Sequence, residues 1–263
     1  MADSTLIRGF SFGDVVGGAF GVFFRNFLMF VLIAAIVNAP LLLYVHYASP
    51  PTTQNAALAQ GVLVFVIQLV CSALTAAMLV YSTAQTLRGR PRNVGATISN
   101  GFAVLFPAIG VSLVFGIGVA LAALAAGVPA FVTGSPWLLV IPVVVALIVV
   151  TRWWVAVPAV VIEREGVFAA IGRSSELTKG SRWTVFGIIL VFGVISWLVN
   201  FVVLKTVGPG YAQPADTTTF LIVDWVATAI LSALSSALGG VAYFALRVDK
   251  EGLDIDQVAS VFD

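Results

Sequence analysis

EREGVFAAIGRSSELTKGSRW, residues 163–183, carries four of the chain's 13 Lys and Arg and three of its 12 Asp and Glu, with long apolar runs on either side. So polar a stretch in so apolar a chain is either an active site or the surface where a membrane protein meets water. Placed on a helix at about 100° per residue, Val167, Phe168, Ala170, Ile171, Ser174 and Leu177 share one half. Gly172, Arg173, Glu176 and Lys179 fall mostly on the other half. Glu163 and Glu165 lie near the N-terminus, where the helix dipole favours anions, and Gly180 follows as a stop. The pattern predicts an amphipathic helix lying in the interface plane, with its charges turned to water.

The rest of the chain supports that reading. Its 263 residues are 60% hydrophobic and only 10% charged, with a mean hydropathy of +1.07. Soluble domains are nearer ~45–50% apolar and ~25% charged, so a bilayer is the solvent this composition requires. A net charge of +1 gives no reason to expect nucleic acid as a partner. The single cysteine, Cys71, excludes an intramolecular disulfide and reads as a small buried filler. The first apolar run begins near Phe27, too late for a signal peptide, so none is expected.

Six spans are predicted, at residues 27–47, 58–81, 102–127, 137–161, 184–204 and 220–246. Pro40, Pro107, Pro142 and Pro158 lie in or near them, as membrane helices tolerate. Arg8, Arg25, Arg88, Arg90, Arg92, Arg152, Arg164, Arg173, Lys179, Arg182, Arg247 and Lys250 fall on one side, and Lys205 alone on the other. By the positive-inside rule both termini are expected in the cytoplasm. The three outer loops (ASPPTTQNA, VPAFVTGSP, TVGPGYAQPADTTT) are short, so no extracytoplasmic domain is expected.

The amphipathic pattern recurs. Before the first span, Phe12, Val15, Val16, Ala19, Phe20 and Phe23 oppose Asp14, Gly18, Gly21 and Arg25. Before the third, Val94, Ile98, Gly101, Phe102 and Leu105 oppose Asn93, Ala96, Ser99 and Asn100. Phe27, Leu105 and Trp183, the equivalent entries into the bilayer, stand 78 residues apart. The expected architecture is an all-α integral membrane protein, with six transmembrane helices as three parallel repeats of interfacial amphipathic helix plus helical hairpin. A single membrane domain would cover residues 1–263, with units of approximately 10–87, 88–165 and 166–247 and a cytoplasmic tail at 248–263. Small residues at i, i+4 mark packing stripes at Gly13, Gly17 and Gly21, at Ala229, Ala233 and Ala237, and at Ser232, Ser236 and Gly240.

The run RWWVAVPAVVIEREGVFAAIGRSSELTKGSRW, residues 152–183, resembles the membrane-domain family named after glycerophosphoryl diester phosphodiesterases. The matching residues are Arg152, Pro158, Glu163, Ala169, Arg173, Ser174, Leu177, Thr178, Gly180 and Trp183. The tail YFALRVDKEGLDID adds Tyr243, Leu246, Arg247, Glu251, Gly252 and Asp254. Where the family often has Asp before that Leu and Arg two after that Arg, this chain has Ala245 and Asp249. The resemblance implies a six-span bacterial inner-membrane module without the catalytic barrel that gave the family its name.

Chemistry is sparse. A metal-dependent phosphodiesterase needs several His and carboxylate ligands, and the one histidine, His46, reads as an interfacial residue beside Tyr44 and Tyr47. Ser112, in GVSL, has no second histidine to serve as its base. Arg88–Arg90 is too short for a phosphate loop, and the Asp254–Asp256 pair lacks the glycine and distal Glu of a calcium loop. No catalytic residue, metal ligand or cofactor site is assigned. Candidate lipid or substrate contacts are Arg152, Glu163, Arg173 and Arg182. Asp224 and Lys205, at similar depth on the outer side, form a candidate intramembrane ion pair, since an unpaired Asp at mid-membrane costs about 2.5–3.5 kcal/mol.

The expected function is that of a non-enzymatic inner-membrane protein that handles lipid or an amphipathic small molecule, or supports a membrane partner. The alternative is a small-molecule transporter or channel; an intramembrane enzyme ranks third. Expected partners are membrane lipid and, through the small-residue stripes, another copy or another membrane protein. The topology is tested by single cysteines at Ser4, Ser175 and Thr217 in a Cys71→Ala background. An impermeant maleimide should reach only the Thr217 position in intact cells, and labelling at Ser175 there overturns the orientation.

Overall fold

The computed structural model describes residues 10–90, 93–134, 137, 140–208 and 217–252. Arg8, Arg92, Asp254 and the tail beyond Gly252, all used above, lie outside the described residues. Among the described residues the repetitive structure is helical: α1 (Phe12–Arg25), α2 (Phe27–Tyr47), α3 (Gln54–Leu87), α4 (Val94–Ala103), α5 (Leu105–Thr133), α6 (Val140–Trp153), α7 (Ala156–Glu163), α8 (Val167–Leu177), α9 (Arg182–Val207) and α10 (Thr217–Glu251). Six segments are long and apolar enough to cross a membrane: α2, α3, the first part of α5, Val143–Glu163 across α6 and α7, α9 and α10. The three short helices α1, α4 and α8 precede α2, α5 and α9.

Local chemistry places the starts. The Ser11 hydroxyl accepts the Asp14 N–H at 3.1 Å, Thr53 does the same for Ala56 at 3.2 Å, and the Asn93 side chain for Ala96 at 3.0 Å. Short helix passes to span through a single off-helical residue in two places. Asn26 stands at φ −118°, ψ 14° and Val104 at φ −106°, ψ 9°. At the third junction a turn with Gly180 at φ +87° leads to Ser181 at φ −114°, ψ 13°. Gly180 is where a left-handed turn demands glycine.

Several helices run further than expected, α3, α5 and α10 most of all. α3 begins at Gln54 and ends at Leu87, and α5 continues through Thr133, so most of the predicted outer loop VPAFVTGSP is helix. An apolar sequence with a proline at 129 offers no polar break, and the left-handed Gly134 is what stops the helix. The fourth span divides into α6 and α7 around Trp154 and Val155. Pro158 explains the break: it has no N–H for the Trp154 carbonyl, and its ring clashes with that carbonyl.

Packing concentrates at the end of the bundle that carries α1, α4 and α8, called here the basic end. Every residue of α10 from 236 to 247 is buried, whereas the first turns of that helix are half-buried. The Ala229, Ala233 and Ala237 stripe is fully buried, and α10 is enclosed by α1, α2, α3, α7 and α9. Polar pins join the helices. The Asn38 side-chain amide donates to Thr75 Oγ1 at 3.2 Å, the Asn26 amide to Thr86 Oγ1 at 3.2 Å, and Trp225 Nε1 to the Ala35 carbonyl at 3.1 Å.

The structure decides two faces. In α4 the buried residues are Thr97 and Gly101, while Val94, Ile98 and Phe102 are exposed. Hydrophobicity cannot separate a protein-facing from a lipid-facing side when both are apolar. The glycines of α1 also face outward: no side chain or backbone of another segment lies within 4 Å of a Cβ built at Gly13 or Gly17. That stripe is not a contact within the chain.

At Gly240 the close approach is real. A Cβ there would lie 2.8 Å from Thr83 Cγ2. Gly240→Val is therefore expected to push α10 off α3 and destabilise the fold by about 1–3 kcal/mol. Gly17→Val should be neutral within about 0.5 kcal/mol. Thermal unfolding in detergent compares them, and equal losses would contradict the close approach.

Candidate functional site

The break at Pro158 turns the end of α7 toward α10 and leaves the Arg152 carbonyl for α8 to take. Ser174 Oγ donates to that carbonyl at 2.8 Å and Thr178 Oγ1 at 3.4 Å. Leu177, between them, is buried with 1% of its surface exposed. The Arg-Ser-x-x-Leu-Thr run is therefore a clasp that seats α8 on the broken span.

Seated this way, α8 brings Arg173 to Glu163, the last residue of α7. Arg173 Nε donates to Glu163 Oε1 at 3.0 Å. The same oxygen accepts the Tyr243 hydroxyl of α10 and lies 3.8 Å from Arg247 Nη1. Glu251 closes the circuit, accepting from Arg173 Nη2 through Oε1 and from Arg247 Nε at 2.9 Å through Oε2. Two carboxylates and two guanidiniums thus alternate in a ring that ties α7, α8 and α10. The Arg247 guanidinium lies 5.9 Å from the Tyr243 ring centre. Burial pulls the Arg173 guanidinium down, but the hydrogen bond and charge of Glu163 outweigh it and hold the group above its ordinary value. Arg247 Nη1 is buried with no hydrogen-bond partner.

The ring forms one wall of a cleft of about 830 Å³ at the basic end. Arg88 at the C-cap of α3, Arg90 from the loop after it, and Arg164 at the C-cap of α7 line it with Arg173 and Arg247, against Glu163 and Glu165. Asn100 of α4 closes one side and accepts a hydrogen bond from Arg164 Nη2. Arg173 and Arg247 are balanced within the ring, and Arg88, Arg90 and Arg164 line the cleft beside them against Glu165; Arg pairs bidentately with phosphate or carboxylate.

Of the sequence candidates, Glu163 and Arg173 meet in this site. Arg173 is therefore not on a water-facing side of α8 but turned inward, because the helix sits against α7 and α10 rather than lying free. Arg152 presents an exposed side chain on the bundle surface, outside the cleft, and contributes its backbone carbonyl. Arg182 is also exposed and outside the cleft. Lys205 is exposed, with its ammonium 5.7 Å from the Phe201 ring centre, and Asp224 is half-buried on α10. Salt bridges among the described residues do not include Lys205 with Asp224. Tyr243, Arg247 and Glu251 were visible only as tail residues of the motif. Nothing in the local pattern says that they close on residues about 80 positions earlier.

Breaking the ring should be costly. Glu163→Gln is expected to destabilise by about 2 kcal/mol, below the ~3–5 kcal/mol of a fully buried broken pair, because the four side chains keep 8–24% of their surface exposed. Glu176→Gln, on the exposed side of α8, should change stability by no more than about 0.5 kcal/mol. Glu163→Gln combined with Arg173→Gln should cost less than the sum of the two, because the first loss already unpairs the second group. Strict additivity in thermal unfolding would mean that the ring carries no coupling.

Residues 125–253 match the family model described as the membrane domain of glycerophosphoryl diester phosphodiesterase. No curated protein and no solved structure matches the chain. The matched segment runs from within α5 to just beyond α10 and contains the Pro158 break, the Ser174–Thr178 clasp and every member of the charge ring. Over those residues, just under half of its length, the chain is similar to the membrane-domain family of glycerophosphoryl diester phosphodiesterase.

Proposed function

We propose that the protein is a bacterial inner-membrane module, without catalytic activity of its own, that takes anionic lipid or another anionic amphiphile at its cytoplasmic face. The observation that carries this reading is the arginine-lined cleft at the end of a membrane bundle. Lys and Arg concentrate at that end, which the positive-inside rule assigns to the cytoplasm. Phe12, Val94, Ile98, Phe102 and Phe168 project exposed apolar side chains from the three short helices around it, as an acyl boundary accepts. The similar dihedral angles of Asn26, Val104 and Ser181 support a three-unit organisation, with each short helix feeding a span. The proposed lack of enzymatic activity is supported by the sequence, whose single histidine, His46, lies outside the cleft.

Transport is the second reading, favoured by the broken span: unwound backbone at membrane depth lines substrate paths in transporters. The test is retention of lipid by the full chain, extracted from bilayers of equal phosphatidylglycerol and phosphatidylcholine and analysed by native mass spectrometry. Phosphatidylglycerol should be retained in preference, and rising salt should weaken the preference. Equal retention of the two lipids overturns the reading, as does hydrolysis of a glycerophosphodiester by the purified protein. Uptake of an anionic solute into proteoliposomes would select transport instead.

A further inference from the structure

We infer that the cleft is the head of a two-part site, whose ligand is a phosphate-bearing amphiphile with one acyl chain in a groove directly beneath. This rests on the reading that the cleft takes anionic amphiphiles, and it specifies which. The groove has a volume of about 260 Å³ and lies at the broken span, between Val80, Val111, Phe115, Trp154, Val157 and Gly239.

Cleft and groove follow the same helix stripes. Along α3, Val80 in the groove leads through Ala84 to Arg88 in the cleft. Along α7, Val157 leads to Val161, and along α10, Gly239 leads through Tyr243 to Arg247. Each step is four residues, one turn, so the groove begins about 12 Å below the α10 arginine at 1.5 Å per residue. Polar head above and apolar slot below, in register on three helices, is the profile of a lipid and not of a free anion.

The chemistry of each part agrees. Of the three hydroxyls lining the groove, those of Ser112 and Ser236 already donate to the carbonyls of Ala108 and Ser232, at 2.9 and 2.8 Å, so the lining is apolar but for Ser235. In the cleft, Arg247 retains 7% of its surface, and its buried Nη1, 3.8 Å from Glu163 Oε1, makes no hydrogen bond. Guanidinium N–H groups are matched by the oxygens of a phosphate. Arg164 stands at φ +53°, the one non-glycine residue with positive φ among the described residues, at the C-cap of α7. Glycine would sit there without strain, so the arginine stands against local backbone preference, with its side chain in the cleft.

The experiment measures binding of octyl, decyl, dodecyl and tetradecyl phosphate, and of inorganic phosphate, to the full chain in detergent. For the wild type, affinity should rise with chain length by up to about fourfold per methylene and then level off once the groove is full. Ser235→Phe, which puts a ring into the groove, should flatten the series toward inorganic phosphate. Micelles take up longer chains in both proteins alike, so the difference between the two proteins reads the groove. Arg164→Gly should weaken every alkyl phosphate at least tenfold while leaving the melting temperature unchanged or higher, which separates lost binding from unfolding.

Two results overturn the two-part site while leaving the cleft reading intact: a wild-type series no steeper than that of Ser235→Phe, or inorganic phosphate bound as tightly as dodecyl phosphate, each with Arg164→Gly still defective. If Ser235→Phe fails to fold, levelling of the wild-type series still decides, because simple micellar partitioning keeps rising with length. An Arg164→Gly protein that binds the whole series normally removes both the inference and the reading beneath it.

Discussion

Four charges held in the tightest part of an apolar bundle have to neutralise one another, and the rest of the basic end is arranged around that requirement. Glu163, Arg173, Arg247 and Glu251 come from three helices, and none of these groups can leave the ring without stranding a partner of opposite sign. The requirement fixes where α7 must end, which side of α8 must face inward and how far α10 must extend before its last turn. The Pro158 break follows from the same geometry. An unbroken fourth span would carry its C-terminal end along one axis, and the break lets α7 deliver Glu163 to α10 while α8 takes up the carbonyl of Arg152.

Around the ring the bundle is built from small side chains. Ala229, Ala233, Ala237 and Gly240 let α10 run close to its neighbours, so that Tyr243 can be fully buried and still place its hydroxyl on Glu163. The hydrogen bonds of Asn26 and Asn38 to threonines of α3 add direction to a contact that dispersion alone would leave free to slide. Close packing on one side of the arginines and open space on the other is what makes the cleft a cleft.

Much of this was legible in the sequence. The six apolar runs and the three short amphipathic helices follow from hydropathy and periodicity, and both survive in the structure with shifted ends. The motif residues Glu163, Arg173, Tyr243, Arg247 and Glu251 were legible as a set by resemblance, but not as a ring, because helical periodicity relates neighbours within a few turns and says nothing about closure across 80 residues. The inward turn of Arg173 was missed for a related reason. A helix wheel divides polar from apolar, and a cation inside a charge cluster falls on its polar side. Whether the small-residue stripes pack within the chain was not legible, because lipid and protein interior are equally apolar. Asn26 and Asn38 gave a usable signal, amides in apolar surroundings, that invites a search for partners on the next helix.

The lengths of α3 and α10, 34 and 35 residues, have a consequence for where this protein can live. At 1.5 Å per residue each is about 50 Å long, well beyond the ~30 Å of a hydrocarbon core. At the basic end the two helices pack closely, Gly240 against Thr83, and the ring ties α10 to α7 and α8, whereas the opposite end of α3 is largely exposed and that of α10 half-buried. Hydrophobic mismatch is therefore absorbed unequally. In a thinner or thicker bilayer the loose ends tilt or emerge, and the locked ends keep their mutual spacing. The arginines stay at a constant height relative to one headgroup layer, and changes in membrane thickness are taken up at the opposite leaflet.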